Sequence, residues 1–237
     1  MRPTTINKKD VRMKSLQYMK ISFIVAIALV AMGCQSTDAP PVSPDGMQLK
    51  HNTQSTIAYK KEGVDFTNYN KVQLAPSTVA FKKNWQRNYN RNQATMSSRI
   101  KDKDVVRIKE SVKLLLDETF KTEFGKGDGY SIVEQATTGT LLLKPAIIDL
   151  DVNAPDVRSV NRSITYVNEA GKATLFLEIY DAVSGEILAR IIDTETVGDN
   201  NGFHQWANRV TNTADAKRVI KKWTKTLRKK FDQAHAK

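Results

Sequence analysis

Cys34 is the only cysteine among the 237 residues. A single thiol excludes an intramolecular disulfide and any metal site built on several cysteines. Histidine is nearly as scarce. His51, His204 and His235 lie far apart in the chain and argue against a His-rich metal centre. Long apolar runs are missing too. The longest, residues 21–32, is well short of the ~20 residues that cross a bilayer as a helix. With 11 glycines and 7 prolines, the chain has no fibrous repeat. Neither a Gly-x-Ser-x-Gly elbow nor a Gly-x4-Gly-Lys-Ser/Thr phosphate loop occurs. Acidic residues are outnumbered, 25 against 37 Lys and Arg, so the formal charge is +12. What remains, 40% apolar and 26% charged, is the make-up of an ordinary globular protein of one or two domains.

The N-terminus carries the sharpest signal. Lys8, Lys9, Arg12, Lys14 and Lys20 precede the uncharged run 21–32, and Gly33 then leads into Cys34. A basic leader, a short apolar stretch and a small residue are the parts of a secretory signal. Ala31-Met32-Gly33-Cys34 resembles the bacterial lipobox, although Ala31 stands where leucine is usual. The resemblance implies acylation of the Cys34 thiol and removal of residues 1–33. The plain alternative is a core thiol in an uncleaved helix. Met13 opens a tidier signal and is an alternative start. Loss of residues 1–33, with six Lys or Arg and one Asp, would lower the formal charge to +7. Two or three acyl chains anchor a protein stably where one binds reversibly. Gln35 rather than Asp after the cysteine implies, by the same resemblance, transfer to the outer membrane.

Beyond the anchor, residues 34–55 contain Pro40, Pro41, Pro44 and Asp45-Gly46 and are expected to be a flexible tether, with one domain over 56–236. Val72-Gln73-Leu74 and Thr78-Val79-Ala80-Phe81 have strand character, interrupted by Pro76. Residues 104–124 predict a helix with Asp104 as N-cap, Gly125 as stop, and Val105, Ile108, Val112, Leu115, Thr119 and Phe124 as its apolar stripe, widened by Leu116 and Phe120. After a Gly127-Asp128-Gly129 turn, residues 130–133 predict a short strand. Residues 141–143 and 146–152 predict another, with Ile148, Leu150 and Val152 on one face. Residues 153–170 read as a loop or weak strand pair. Residues 173–181 and 186–196 are the clearest strands, joined through Ala182-Val183-Ser184-Gly185 as a hairpin. Residues 215–234 predict a closing helix with Val219, Ile220, Trp223, Leu227 and Phe231 inward. The expected fold is α+β: a mainly antiparallel sheet with two helices packed on one face, in two layers.

Several of these segments together resemble one family. They are Tyr59, Asp65-Phe66-Thr67-Asn68-Tyr69-Asn70-Lys71-Val72-Gln73-Leu74-Ala75-Pro76, the 130–133 strand, the 173–190 run with Asp181-Ala182-Val183-Ser184-Gly185-Glu186, and 216–231 around Trp223. They are similar to the bacterial lipoproteins of domain-of-unknown-function family 3313, over about residues 55–234. The resemblance implies the anchor, the envelope location and the fold, and no activity or catalytic residue. Ala75 departs from the acidic residue of that pattern, and residues 82–103 are more basic and Asn-rich than it.

Candidate chemistry is thin. Asp149 with Asp151, and Asp193 with Glu195, would each share a strand face and could hold a cation or move protons. The simpler expectation is a solvated outer sheet face. Asp199-Asn200-Asn201-Gly202 resembles part of a calcium loop but lacks its ligand spacing, and His204 beside Trp206 is a lone base. No enzyme activity is expected, and no cofactor beyond the covalent lipid. Charge is more telling. Residues 82–103 and 215–234 each carry +6. Trp85, Arg87, Tyr89 and Arg91 in the first segment, and Lys221, Lys222, Lys225 and Lys229 in the second, form the candidate contact surface. The plain alternatives are a mobile insertion and a solvated helix face. An exported protein meets lipid headgroups, lipopolysaccharide and peptidoglycan rather than nucleic acid. The leading expectation is a lipid-anchored, periplasm-facing interaction or assembly module of the outer membrane, with a protein partner. The second is direct binding of an anionic envelope polymer through both basic segments. An envelope hydrolase is a distant third.

Overall fold

The computed structural model describes residues 39–127, 130–153, 155, 165–167, 171–197, 205–207 and 209–236. Residues 1–38, with the expected signal and Cys34, lie outside it, as do Asp128-Gly129, Asp199-Asn200-Asn201-Gly202 and His204.

An open sheet of eight strands forms the body. In chain order these are β1 (Gln48–Asn52), β2 (Thr56–Lys60), β3 (Lys71–Leu74), β4 (Thr78–Phe81), β5 (Ser131–Ile132), β6 (Thr140–Val152), β8 (Gly171–Asp181) and β9 (Ile187–Val197). Their spatial order is β1-β2-β9-β8-β6-β3-β5, with β4 also on β6. A separate pair joins β7 (Thr165–Val167) to β10 (Gln205–Ala207), so the one described strand of the loop or weak strand pair expected over 153–170 pairs outside that range. The α-helices among the described residues are α1 (Trp85–Arg91), α2 (Asp102–Phe124) and α3 (Arg209–His235).

The sheet is mainly antiparallel, as expected, with a short parallel part on one side. β1-β2-β9-β8-β6 are antiparallel, but β3 and β4 run parallel to β6, and β5 parallel to β3. A hairpin cannot join parallel neighbours; a crossover is needed, and α1 and α2 supply it between β4 and β6. β3 and β4 lie end to end along one edge of β6. Ala75 N–H donates to the Leu143 carbonyl (2.9 Å), so Pro145, two residues on, turns its donorless nitrogen toward the break at Pro76. The two prolines therefore share one gap in the ladder.

One cluster makes the core. Leu116, Phe120 and Phe124 of α2 and Ile220, Trp223, Leu227 and Phe231 of α3 share it with Leu141, Leu143 and Ile147 of β6 and Leu175, Leu177 and Ile179 of β8. Each such side chain contributes about 1.5–3 kcal/mol when fully buried. Both helical stripes thus match their expected faces, with Ile108, Val112, Leu115 and Val219 only partly buried. The helix starts differ. α2 begins at Asp102 with Lys101 as its N-cap, and Asp104, expected there, sits in the first turn and accepts from the Lys101 N–H (3.1 Å), a capping-box contact.

A bulge alters β6. Asp149 adopts φ 53°, and the register with β8 slips between Ile148 and Asp151. The inward positions are therefore Leu141, Leu143 and Ile147, then Leu150, so Ile148 parts from Leu150. The 181–186 connection is as expected. Asp181 accepts from the Val183 and Ser184 N–H groups (2.9 and 2.8 Å), and Gly185 takes φ 72°.

Over residues 39–55 the expected flexible tether is replaced by ordered chain. β1 begins at Gln48, and residues 39–47 form an ordered arm before it. Tyr59 Oη donates to the Pro40 carbonyl (3.0 Å), Leu49 N–H donates to that of Pro41 (2.9 Å), Asp45 pairs with Arg190 (2.6 Å), and Met47 is fully buried. Proline-rich composition hid these side-chain anchors, which come from distant strands.

Candidate functional site

Over one end of the sheet the N-terminal halves of α2 and α3 line a mainly apolar cavity of about 170 Å³. Ile108, Val112 and Leu115 line it from α2, Ala216 and Ile220 from α3, and Ile147 and Ala173 from the sheet. Arg107, Ser111 and Thr213 add polar groups, and Arg107 is paired with Asp104 at 3.4 Å. Gly171, also in the wall, has φ 155° and lies so near Asp151 that a Cβ would stand 1.9 Å from its carbonyl oxygen. Only glycine allows that approach. The cavity is open to one side and mainly apolar, with room for a small apolar group.

Beside it lies the second of the two expected carboxylate pairs, on β9 facing α3. Asp193 stands opposite Leu175, and Glu195 opposite Ala173, both core positions. The expectation of a solvated outer face is therefore overturned, because β9 turns its odd positions toward α3. Glu195 accepts from Lys222 Nζ (2.6 Å). Asp193 Oδ1 and Trp223 Nε1 are both buried, and neither completes a well-formed hydrogen bond among the described residues. Lost solvation, then repulsion from Glu195, hold the Asp193 carboxyl above its ordinary range; Thr56, Trp223 and Lys222 oppose this only partly. The other expected pair does not form. Asp149 is exposed in the bulge, while Asp151 accepts from Lys82 Nζ (2.9 Å). Among the described residues, no group of three or more His, Cys, Asp or Glu is placed to hold a metal ion.

The basic segment 82–103 is not a bare loop. α1 occupies its middle, and Trp85 is buried: its ring stacks on Phe81 (4.0 Å between centroids) and its Nε1 donates to the Val152 carbonyl (3.1 Å). Trp85 is thereby withdrawn from the expected contact surface, since an indole with its face and N–H both engaged has nothing to offer a ligand. Tyr89 leans on Trp85 at 6.1 Å, and burial raises its hydroxyl pKa. Arg87 and Arg91, one turn apart, are exposed. Asn90 fastens the segment by accepting from Ile100 N–H (2.7 Å) and donating to its carbonyl (2.8 Å). On α3, Lys225 and Lys229 are exposed, Lys221 is half-buried and Lys222 is committed to Glu195. The two segments are anchored on different elements, α1 on β4 and the end of β6, α3 on α2, β9 and the 3-10 turn Phe66–Asn68.

The far end of the helix pair is sealed. Arg228 Nη1 donates to the carbonyls of Glu123 (3.2 Å), Phe124 (2.9 Å) and Lys126 (3.4 Å), closing the C-terminus of α2. Phe66, Phe124, Tyr130 and Phe231 pack around it, and His235 Nε2 donates to the Tyr69 carbonyl (3.0 Å). Burial pushes the Tyr130 hydroxyl up to about 12. Sequence periodicity identifies Phe231 but not Arg228, which looks like one more cation on a basic helix.

With this geometry, the model of DUF3313, a family of proteins of unknown function, matches residues 42–227. The chain belongs to the DUF3313 family. The match begins at Val42, inside the arm. No curated protein matches this DUF3313 chain in sequence. Among solved structures it is similar to the PelC dodecamer of Paraburkholderia phytofirmans, at 12% identity and TM-score 0.34, covering 73% of this chain and 97% of that one. It is also similar to a Xanthomonas campestris protein of the DUF330 family (9% identity, TM-score 0.37, 67% and 81% covered). A third similarity is to a PDZ domain protein of Parabacteroides distasonis (14%, TM-score 0.37, 73% and 35% covered). These likenesses are too distant to bear on function. Among the described residues, no helix is long and apolar enough to cross a membrane.

Proposed function

We propose that this DUF3313 protein is a lipid-anchored lipoprotein of the bacterial outer membrane, facing the periplasm, whose domain is a non-catalytic interaction or assembly module. The single observation that carries the reading is the sequence 21–34, a short apolar run closed by Gly33 and the only cysteine. In this reading residues 1–33 are removed, Cys34 is acylated, and the domain is a two-layer α+β unit with both long helices on one face of its sheet. Further support comes from the shared core of α2 and α3 and from a charge distribution that favours anionic surroundings.

Intact mass and membrane fractionation of wild type and Cys34→Ala test it. Wild type is expected in the outer membrane, beginning at Cys34 and carrying acyl mass; the variant loses acylation and the mature cut. If both forms retain residues 1–33, or both are soluble, the anchor reading fails.

A second reading is direct binding of lipopolysaccharide or peptidoglycan, favoured by exposed Arg87, Arg91, Lys225 and Lys229. Basic side chains near an anionic surface contribute about 1 kcal/mol each and are screened by salt. Pulldown on purified polymer, weakened by salt and by Lys225→Glu/Lys229→Glu, would support it; salt-independent retention would count against it.

A further inference from the structure

The ordered arm leaves little chain between the domain and the proposed anchor. Ala39 is followed at once by Pro40, whose carbonyl is held by Tyr59, and the arm is fixed again at Asp45 by Arg190 and at Met47 by complete burial. From Cys34 to Ala39 the chain spans five residue steps, at most about 18 Å when fully extended. Strand β6, with 13 residues, runs about 43 Å at ~3.3 Å per residue. The link is thus less than half as long as the sheet it restrains, and the domain cannot turn every surface to the bilayer.

The surface next to the arm has the composition to lie there. Tyr59 and Arg190, which grip the arm, pair with each other across β2 and β9, and their row continues through Glu178 to Lys144. The adjoining row on the same face is apolar across four strands: Ile57, Ile192, Phe176 and Ala146, in direct register. None of these four is fully buried, and the core of the domain lies behind the alternate positions of β6, β8 and β9. Lys144 and Lys172 are exposed on this face, at either side of the apolar row. Val42, in the arm itself, is 44% exposed. An apolar stripe flanked by lysines matches the headgroup boundary of a bilayer, where stems enter apolar surroundings and ammonium groups meet phosphates.

Resting on the lipoprotein reading, we propose that the sheet face bearing Ile57, Phe176 and Ile192 is held against the membrane that receives the Cys34 acyl chains, with α2 and α3 turned away from it. The link is a leash that selects one face, and partners approach from the helix side.

Acylation blocks Cys34, so a second cysteine is a unique labelling site. Full-length protein carrying Val42→Cys, Lys144→Cys or Leu114→Cys is labelled with a fluorophore and placed on phosphatidylethanolamine–phosphatidylglycerol vesicles containing a nitroxide-headgroup lipid. Leu114, on α2, is 56% exposed and serves as the far-side reference. Quenching at positions 42 and 144 is expected to exceed that at 114 several-fold. Insertion of about twenty Gly/Ser residues after Gln35 frees the leash and is expected to remove the difference. Intact mass on the same samples separates the two readings. An unacylated protein overturns both; an acylated one quenched as strongly at 114 as at 144 overturns the orientation alone. Equal contrast with and without the insertion also overturns it, since the face would then bind without the leash.

Discussion

The two ends of the α2–α3 pair are built from different materials. At the C-terminal end, aromatic rings close the gap and Arg228 caps three carbonyls of the neighbouring helix turn. At the N-terminal end, aliphatic and small side chains (Val112, Ala216, Ala173) stop short of one another and leave about 170 Å³. The same sheet underlies both ends. The contrast shows that the helices are clamped at one end and propped at the other. Stability resides in the clamp, and any capacity to accept a ligand or to breathe resides in the opening.

The strongest way to break the contrast is to remove the clamp. Phe231→Ala deletes a ring that is 4% exposed and touches Phe66, Phe124 and Tyr130. It is expected to cost about 3–5 kcal/mol, read as a fall in the urea midpoint at unchanged slope. A cost under about 1 kcal/mol would mean that the aromatic end is not the clamp. Arg228→Ala should follow, at about 1.5–3 kcal/mol, because it leaves the closing carbonyls of α2 without a charged donor. Amide exchange should quicken in the last turn of α2 and not in its first.

Filling the opening should do the reverse on a smaller scale. Ala216→Leu places apolar volume where the cavity stands and is expected to stabilise by about 0.5–2 kcal/mol. Loss of stability instead would show the void to be closed by its own walls in solution. The smallest effect is a dependence on pH. Asp193 has a raised pKa, so the folded state holds a proton more tightly than the unfolded chain does. The stability it contributes is present at low pH and is lost as pH rises through the folded value. Asp193→Asn should therefore flatten that fall just above the ordinary carboxylate range and leave the protein at least as stable as wild type at neutral pH. A wild-type profile without this fall, or a variant that keeps it, would assign the titration elsewhere. Glu195, which shares the face, and Lys222, which pairs with Glu195, are the neighbours to check.

Patterns of period 3.6 and of period 2 carried far. The inward faces of α2 and α3, the β8–β9 hairpin with its Asp181 turn, and the family itself were all legible, since each depends on residues close together in sequence. Position 85 shows where that stops. Tryptophan among arginines reads as a contact residue from composition, yet Phe81 and the Val152 carbonyl claim it, and the second of these lies 67 residues away. Pro40, Pro41 and Pro44 read as a tether for the same reason, whereas Tyr59 and Arg190 make that stretch an arm.

What the sequence by itself determined is the set of amphipathic elements, the signal-like N-terminus and the concentration of positive charge in two segments. Only the tertiary structure decided the parallel placement of β3 and β4 beside β6, the inward turn of Asp193 and Glu195, the opening between the helices and the docking of the arm. The physical reason is common to all four. Strand partners, helix spacing and the side of a sheet that receives a helix are set by contacts between residues distant in sequence, and a one-residue bulge such as that at Asp149 changes the face of everything after it.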